Sequence, residues 1–304
     1  MSLKQRLKPR LKYIAQNSTL HAINIDTAYL KWTNQFPSIA ICFRKDRNFE
    51  NLSKFLDDYF KNNNLPKPAN KRSFYKFAQS YAFMTPLKPI SDIDLDMCLT
   101  YNETCGLNFD VIRAKAVPAT CNSFLYSVSY LGQKFSCDEI LKLQFTNAGA
   151  CYTTDAAASL LTFSRKTHVP IKLTIEYKPP EGYGMDLYIY SPGEKVSYLD
   201  VPYALPKQES ITYLNFMTIE TINHPEVKGV DAKIRNCRFS DEKTEKYQFP
   251  YSFGNCNMEK RMQFEIDQCN CTMPVNKREG LNFCDIKGLL CLRSGNFNLN
   301  NAFF

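Results

Sequence analysis

The sequence predicts an α+β fold, an antiparallel sheet with helices on either side. Two observations carry that expectation: a helical stripe of large apolar residues near the start and two-residue alternation in the middle. From residue 48 to 62, NFENLSKFLDDYFKN sets Phe49, Leu52, Phe55, Leu56, Tyr59 and Phe60 at three- and four-residue spacing, which predicts one amphipathic helix. Two prolines in LPKPAN break it, and SFYKFAQSYAFM predicts that helix resumes. In FSCDEILKLQF, Ser136 and Glu139 fit a capping box, predicting a short helix that ends near TNAGACYT. PIKLTIEY then sends Ile171, Leu173, Ile175 and Tyr177 to one face, and MDLYIYSP repeats the alternation after a Pro/Gly turn. Ser210 to Ile222, SITYLNFMTIETI, is a third β-branched and aromatic run, so three neighbouring strands are expected to form an antiparallel sheet.

A chain of 304 residues, 44% hydrophobic, buries a substantial core as one large domain or two ordinary ones. Twelve cysteines against three histidines point to an oxidising compartment, because cytosolic thiols face reducing buffers. The formal charge is +8, but outside the cluster Lys4, Arg6, Lys8, Arg10 and Lys12 the basic residues are interleaved with acidic ones. That pattern argues against a nucleic-acid partner, which calls for a concentrated basic stripe. Export to an oxidising compartment calls for a signal or a membrane helix. Neither is legible: the longest uncharged run, Ala116 to Gln133, contains Pro118 and several polar residues, short of the roughly 20 apolar residues that span a bilayer.

Near the C-terminal end, DQCNCTMPV raises the question of what Cys269 and Cys271 do. Zinc favours paired C-x2-4-C spacings or added histidines, and no histidine follows His224. A redox pair is usually C-x-x-C, which is absent. Disulfides remain, and a bond between these two would close a small strained ring, so each needs a distant partner. Cys284 and Cys291 follow, and nested pairing is one of the three connectivities that four cysteines allow.

FPSIAIC (36–42), LQFTNAGACYTTDA (143–156), LYIYSPGEKV, IRNCRFSDE and the terminal GNC, QCNCTMP, FC and LC segments resemble, in that order, the extracellular markers of degenerin/epithelial sodium channel subunits, with the flavour of the insect pickpocket branch. Upstream, NSTLHAI is similar to the cytoplasmic gating motif of that family, with His21 at the histidine position and Ala22 where the family has glycine. The resemblance implies a layered ectodomain: an antiparallel palm sheet, a helical finger and a disulfide-rich helical thumb. Residues 1–35 would be the cytoplasmic-type segment and 36–304 the extracellular domain, incomplete at its C-terminus. Only thirteen residues, Ile23 to Gln35, stand where the family has its first membrane helix, so that helix is expected to be deleted. The chain likewise stops before the second membrane helix, which carries the pore, and so is expected to be a fragment or an incomplete gene model of a channel subunit.

The same resemblance implies the pairs Cys42–Cys151, Cys121–Cys137, Cys269–Cys291 and Cys271–Cys284, with Cys98–Cys105 as a local pair on slighter support. Cys237 and Cys256 would be left unpaired or bonded to each other, and Lys260 replaces a family cysteine four residues after Cys256. Tyr152 and Thr153 lie beside the Cys151 anchor. Asn51, Asn102 and Asn270 begin glycan sequons; Asn270 lies between two disulfide anchors, where crowding is expected to hinder a glycan, and Asn17 would face the cytoplasm. The implied function is a subunit of a trimeric, amiloride-sensitive, ligand- or force-gated sodium channel at the plasma membrane, partnered by sibling subunits, with sodium as the permeant ion and no cofactor or metal. A secreted cysteine-rich binding protein or decoy is the alternative from another class. An enzyme is not expected, since no Cys-His pairing with a local signature appears.

Overall fold

The computed structural model describes residues 33–45, 50–62, 70–85, 109–118, 120–157, 160–164, 171–181, 183–196, 200–208, 210–215, 223–235, 238–242, 250–273 and 281–294. Within them, helices pack against antiparallel sheets, an α+β arrangement.

Strand β2 (Ser38–Lys45) is the centre of a five-stranded sheet. It lies between β9 (Tyr183–Tyr190) and β6 (Gly149–Thr153), with β10 (Tyr203–Ala204) and β5 (Lys142–Thr146) at the edges. Its sequence, SIAICFRK, is apolar at successive positions because both faces are covered. Ile39, Ile41 and Phe43 enter the main core, while Ala40 and Cys42 enter a smaller cluster with Cys151, Tyr188, Tyr190 and Val196 on the opposite face.

The main core is aromatic. Phe43 meets Phe124 and Tyr183 edge-on at 5.1 and 5.5 Å, an arrangement that matches ring edges to faces. Above it lie α1 (Glu50–Asn62), α2 (Lys71–Ala82) and α3 (Phe109–Lys115). Leu52, Leu56 and Phe60 of α1 bury against the same core as Phe74, Phe77, Ala78 and Tyr81 of α2. These are the i, i+4 rows that helical periodicity puts on one face. Asn70 caps α2 by accepting from the Ser73 N–H at 3.1 Å.

A three-stranded sheet runs β4-β3-β8, from β3 (Leu125–Tyr130), β4 (Gln133–Phe135) and β8 (Leu173–Tyr177). Ile171, Leu173, Ile175 and Tyr177 pack against the main core. Strands β1 (Thr33–Gln35) and β7 (Thr162–Ser164) form a separate pair.

Three expectations need correction. The strands β8 and β9 do not pair with one another; β8 pairs with β3 and β9 with β2, because alternation specifies the buried face and not the neighbour. The capping-box helix, α4 (Cys137–Ile140), has one turn only and stops well before TNAGACYT. Leu141 is already extended, and Leu143 and Phe145 continue as strand β5, so the two-residue period overrides the helix. The third strand, Ser210 to Ile222, is not formed over 210–215, where Ile211 and Tyr213 are 81% and 74% exposed; residues 216–222 lie outside the described residues. β propensity without an adjacent strand to complete the ladder does not make a strand.

The C-terminal region is helical: α5 (Ala232–Arg235), α6 (Phe253–Cys269) and α7 (Ile286–Ser294). Ser252 caps α6 by accepting from Asn255 N–H at 3.1 Å, and Asn270 ends it in the left-handed region at φ 55°. Helix α7 comes so close to the Cys271–Cys284 bridge that a Cβ on Gly288 would sit 2.5 Å from the Cys271 sulfur. Gly288→Ala is therefore expected to destabilise the domain by about 1–3 kcal/mol through overpacking, read as a lowered denaturation midpoint. An unchanged midpoint would show that α7 shifts at no cost.

Candidate functional site

The second face of the five-stranded sheet is where strands, disulfide and helix α6 meet. Cys42 of β2 and Cys151 of β6 are direct register partners and are joined by a disulfide. The hairpin before β6 turns at Asn147 and Ala148 and closes on Gly149, whose φ of +108° suits a residue without Cβ. Thr146 holds the turn, its Oγ1 accepting from the Ala148 N–H at 3.1 Å.

Asn147 is 2% exposed and joins three elements. Its side-chain amide donates to the Val196 carbonyl at 3.2 Å, and its Oδ1 accepts from the Arg261 guanidinium at 3.0 Å. Arg261 also pairs with Glu265 one turn on at 3.2 Å, both almost fully buried. Glu265 in turn accepts from the Thr272 hydroxyl at 2.6 Å and the Met273 N–H at 2.9 Å. An unbroken polar chain thus runs from the sheet turn through α6 to the cysteine-rich loop. A second tie is Asn255, which accepts from the Lys195 N–H at 3.1 Å and donates to Gly193 and Pro250 carbonyls at 3.3 and 3.0 Å.

Asp155, just after β6, accepts from the Tyr190 hydroxyl at 2.6 Å and pairs with Lys195 at 3.0 Å. Burial, reinforced by the Asp155 charge, pushes the Tyr190 phenol far up. Burial pushes Tyr130, Tyr152 and Tyr183 up to about 12, and at Tyr152 the charge of Asp138 adds to it. Tyr152 and Tyr183 donate to the Pro118 and Ala116 carbonyls at 2.9 Å each. A phenol whose folded value is raised adds stability that is fully present below its ordinary value near 10 and is lost as pH rises toward the folded value. The domain is therefore expected to unfold between pH 10 and about 12, with tyrosinate absorbance and loss of circular dichroism rising together. Complete tyrosine ionisation with the fold intact would contradict this.

The other cysteines are placed as follows. Cys121 and Cys137 are bonded across the start of β3 and α4, Cys269 to Cys291, and Cys271 to Cys284. Cys121, Cys137 and Asp138 cluster closely enough to bind a metal, but the two sulfurs are consumed in the disulfide and offer no thiolate. Cys256 of α6 is a free thiol, one turn from the exposed Lys260. Thr153 is fully buried on β6. Asn270 is exposed, at the left-handed cap that ends α6. Asn51 lies on α1, and nothing is described of its side chain. His21, Ala22, Asn17, Cys98, Asn102, Cys105 and Cys237 lie outside the described residues.

Sequence reasoning missed Asn147, Arg261, Glu265, Asn255 and Asp155. A signal did exist at one place: Arg261 and Glu265 stand four apart in a helix whose polar residues are not gathered on one face. Such a helix buries polar side chains.

Taken together these contacts form one buried assembly. It is a buried scaffold that couples a sheet edge to a helical lobe. No described helix is long and apolar enough to cross a membrane. Comparison with known proteins gives two findings. The sequence model of the family described as "Amiloride-sensitive sodium channel" matches residues 11–303. The chain is also similar to "Sodium channel protein Nach" of Drosophila ananassae, 24% identical over 251 residues, covering 79% of this chain and 48% of that protein. The chain thus spans about half the length of the curated relative it matches.

Proposed function

The chain belongs to the amiloride-sensitive sodium channel family, and on that premise we propose that it serves as a subunit of a plasma-membrane sodium channel rather than as an enzyme. The single observation that carries this reading is the family match over residues 11–303. In this proposal the described residues are extracellular: the five-stranded sheet is the palm, α1 to α3 belong to the finger, and α6 with α7 form the thumb. The polar chain Asn147–Arg261–Glu265–Thr272 transmits displacement of the thumb to the palm, because buried charge pairs tolerate little change in geometry. Disulfides keep each lobe rigid, so that a ligand or force moves it as one body. His21 and Ala22 stand in the segment similar to the family's cytoplasmic gating motif, and Thr33–Gln35, which pairs with β7, goes with the extracellular part. Sodium is the permeant ion, and the functional unit is a homo- or heterotrimer with sibling subunits.

The test is co-expression of the chain with sodium channel subunits of the family in oocytes, under voltage clamp and with surface biotinylation. The expected result is a changed amiloride-sensitive sodium current together with labelling of the chain at the cell surface. A chain released into the medium that leaves the current untouched would support a secreted binding protein instead.

A further inference from the structure

We propose that Asn270 is an N-glycan acceptor that can be modified only before its two flanking disulfides close. The inference rests on the extracellular reading above and adds to it a time order. Asn270, Cys271 and Thr272 form the sequon. Transfer joins the Asn270 Nδ2 to the anomeric carbon of a lipid-pyrophosphate-linked oligosaccharide; the lipid pyrophosphate leaves and one amide proton passes to the transferase. The enzyme must hold the asparagine and the hydroxyl two residues on at the same moment, on an accessible stretch of chain.

The folded protein shows only half of that. Asn270 is exposed at the end of α6. Thr272 is 1% exposed, and its hydroxyl is committed to Glu265 at 2.6 Å. Its backbone is fixed on both sides, the N–H donating to the Asn282 carbonyl and the carbonyl accepting from the Cys284 N–H, each at 2.9 Å. Cys271, the middle residue of the sequon, is bonded to Cys284, and Cys269 just before it is bonded to Cys291. The sequon is thereby withheld from an enzyme that needs it free, although Asn270 itself is exposed.

Closure waits for synthesis. Cys284 and Cys291 lie 13 and 22 residues beyond their partners, a delay of about 1–4 s at ordinary elongation rates. Disulfide formation takes seconds or longer, so transfer and closure compete on similar times. Partial occupancy follows, set by how fast the thumb oxidises.

The experiment directs the full chain, with an appended cleavable signal, into microsomes during translation and measures occupancy at Asn270 by mass spectrometry after deglycosylation. Expected are partial occupancy under oxidising conditions, an increase of about twofold or more with reductant, a similar increase in Cys284→Ser, and none in Thr272→Val. The folded, oxidised chain given solubilised transferase and donor is expected to stay unmodified. Equal occupancy with and without reductant, or modification of the folded chain, overturns the time order. An empty Asn270 in the reduced chain beside filled Asn51 or Asn102 overturns the acceptor itself and leaves the extracellular reading standing. That reading fails separately if the endogenous protein carries no glycan and keeps its thiols reduced.

Discussion

Replacing Arg261 by methionine is expected to cost the domain about 3–5 kcal/mol, since it strands a buried carboxylate without its counter-charge. Glu265 is 1% exposed and has Arg261 as its paired cation, so water cannot take over the role of the guanidinium. Methionine keeps the length of the stem, which separates the electrostatic loss from a simple cavity. The same change removes the donor to Asn147 Oδ1, so the sheet turn loses its link to α6. Urea denaturation followed by circular dichroism reads the effect. Asn147→Ala, which breaks only the far end of the chain, is expected to cost less, because it leaves the ion pair intact. A loss below about 1 kcal/mol for Arg261→Met would mean that the pair is effectively solvated, like a surface bridge, and would remove the basis for coupling through it.

The second large effect concerns the bridge at the centre of the sheet. Paired Cys42→Ser and Cys151→Ser replacements are expected to cost about 4–5 kcal/mol, the chain-entropy value for a loop of this order; the cysteines are 109 residues apart. Removing Cys121–Cys137, with a separation of 16, is expected to cost about 3 kcal/mol by the same reasoning. The comparison is more telling than either number. Should the short-loop variant prove the more damaged, stabilisation would come from local packing around the sulfurs, not from restraint of the unfolded chain. Hydrophobic strand pairing remains in both variants, so each is expected to retain a cooperative, though lower, thermal transition.

Much of the architecture was legible because it is local. The helical stripe read over 48–62 and the Ser136–Glu139 box each involve residues within a turn or two, and short-range sterics decide them. What failed was non-local. Ser210 to Ile222 has strand-forming residues, but over 210–215 no strand among the described residues pairs with it. The extent of α4 was misread because Leu141, Leu143 and Phe145 answer to a core assembled from distant segments.

The buried polar chain was the hardest to see, and the reason is physical. A lone Asn147, Arg261 or Glu265 in a sequence looks like ordinary surface polarity; each is tolerable inside only because the others satisfy it. That mutual dependence has no signature at short range, since Asn147 and Arg261 are 114 residues apart.

Residue order alone therefore carried the class of the fold, the case for cross-links, the strain of a bond between Cys269 and Cys271, and the markers of family kinship. Tertiary structure alone decided which strand sits beside which, where α4 stops, that Asn270 is exposed while Thr272 is hidden, and that a buried arginine of a charged pair ties α6 to the sheet turn. The division follows from range: propensity, periodicity and capping act within a few residues, whereas strand pairing and the burial of charge depend on partners that only the folded chain brings together.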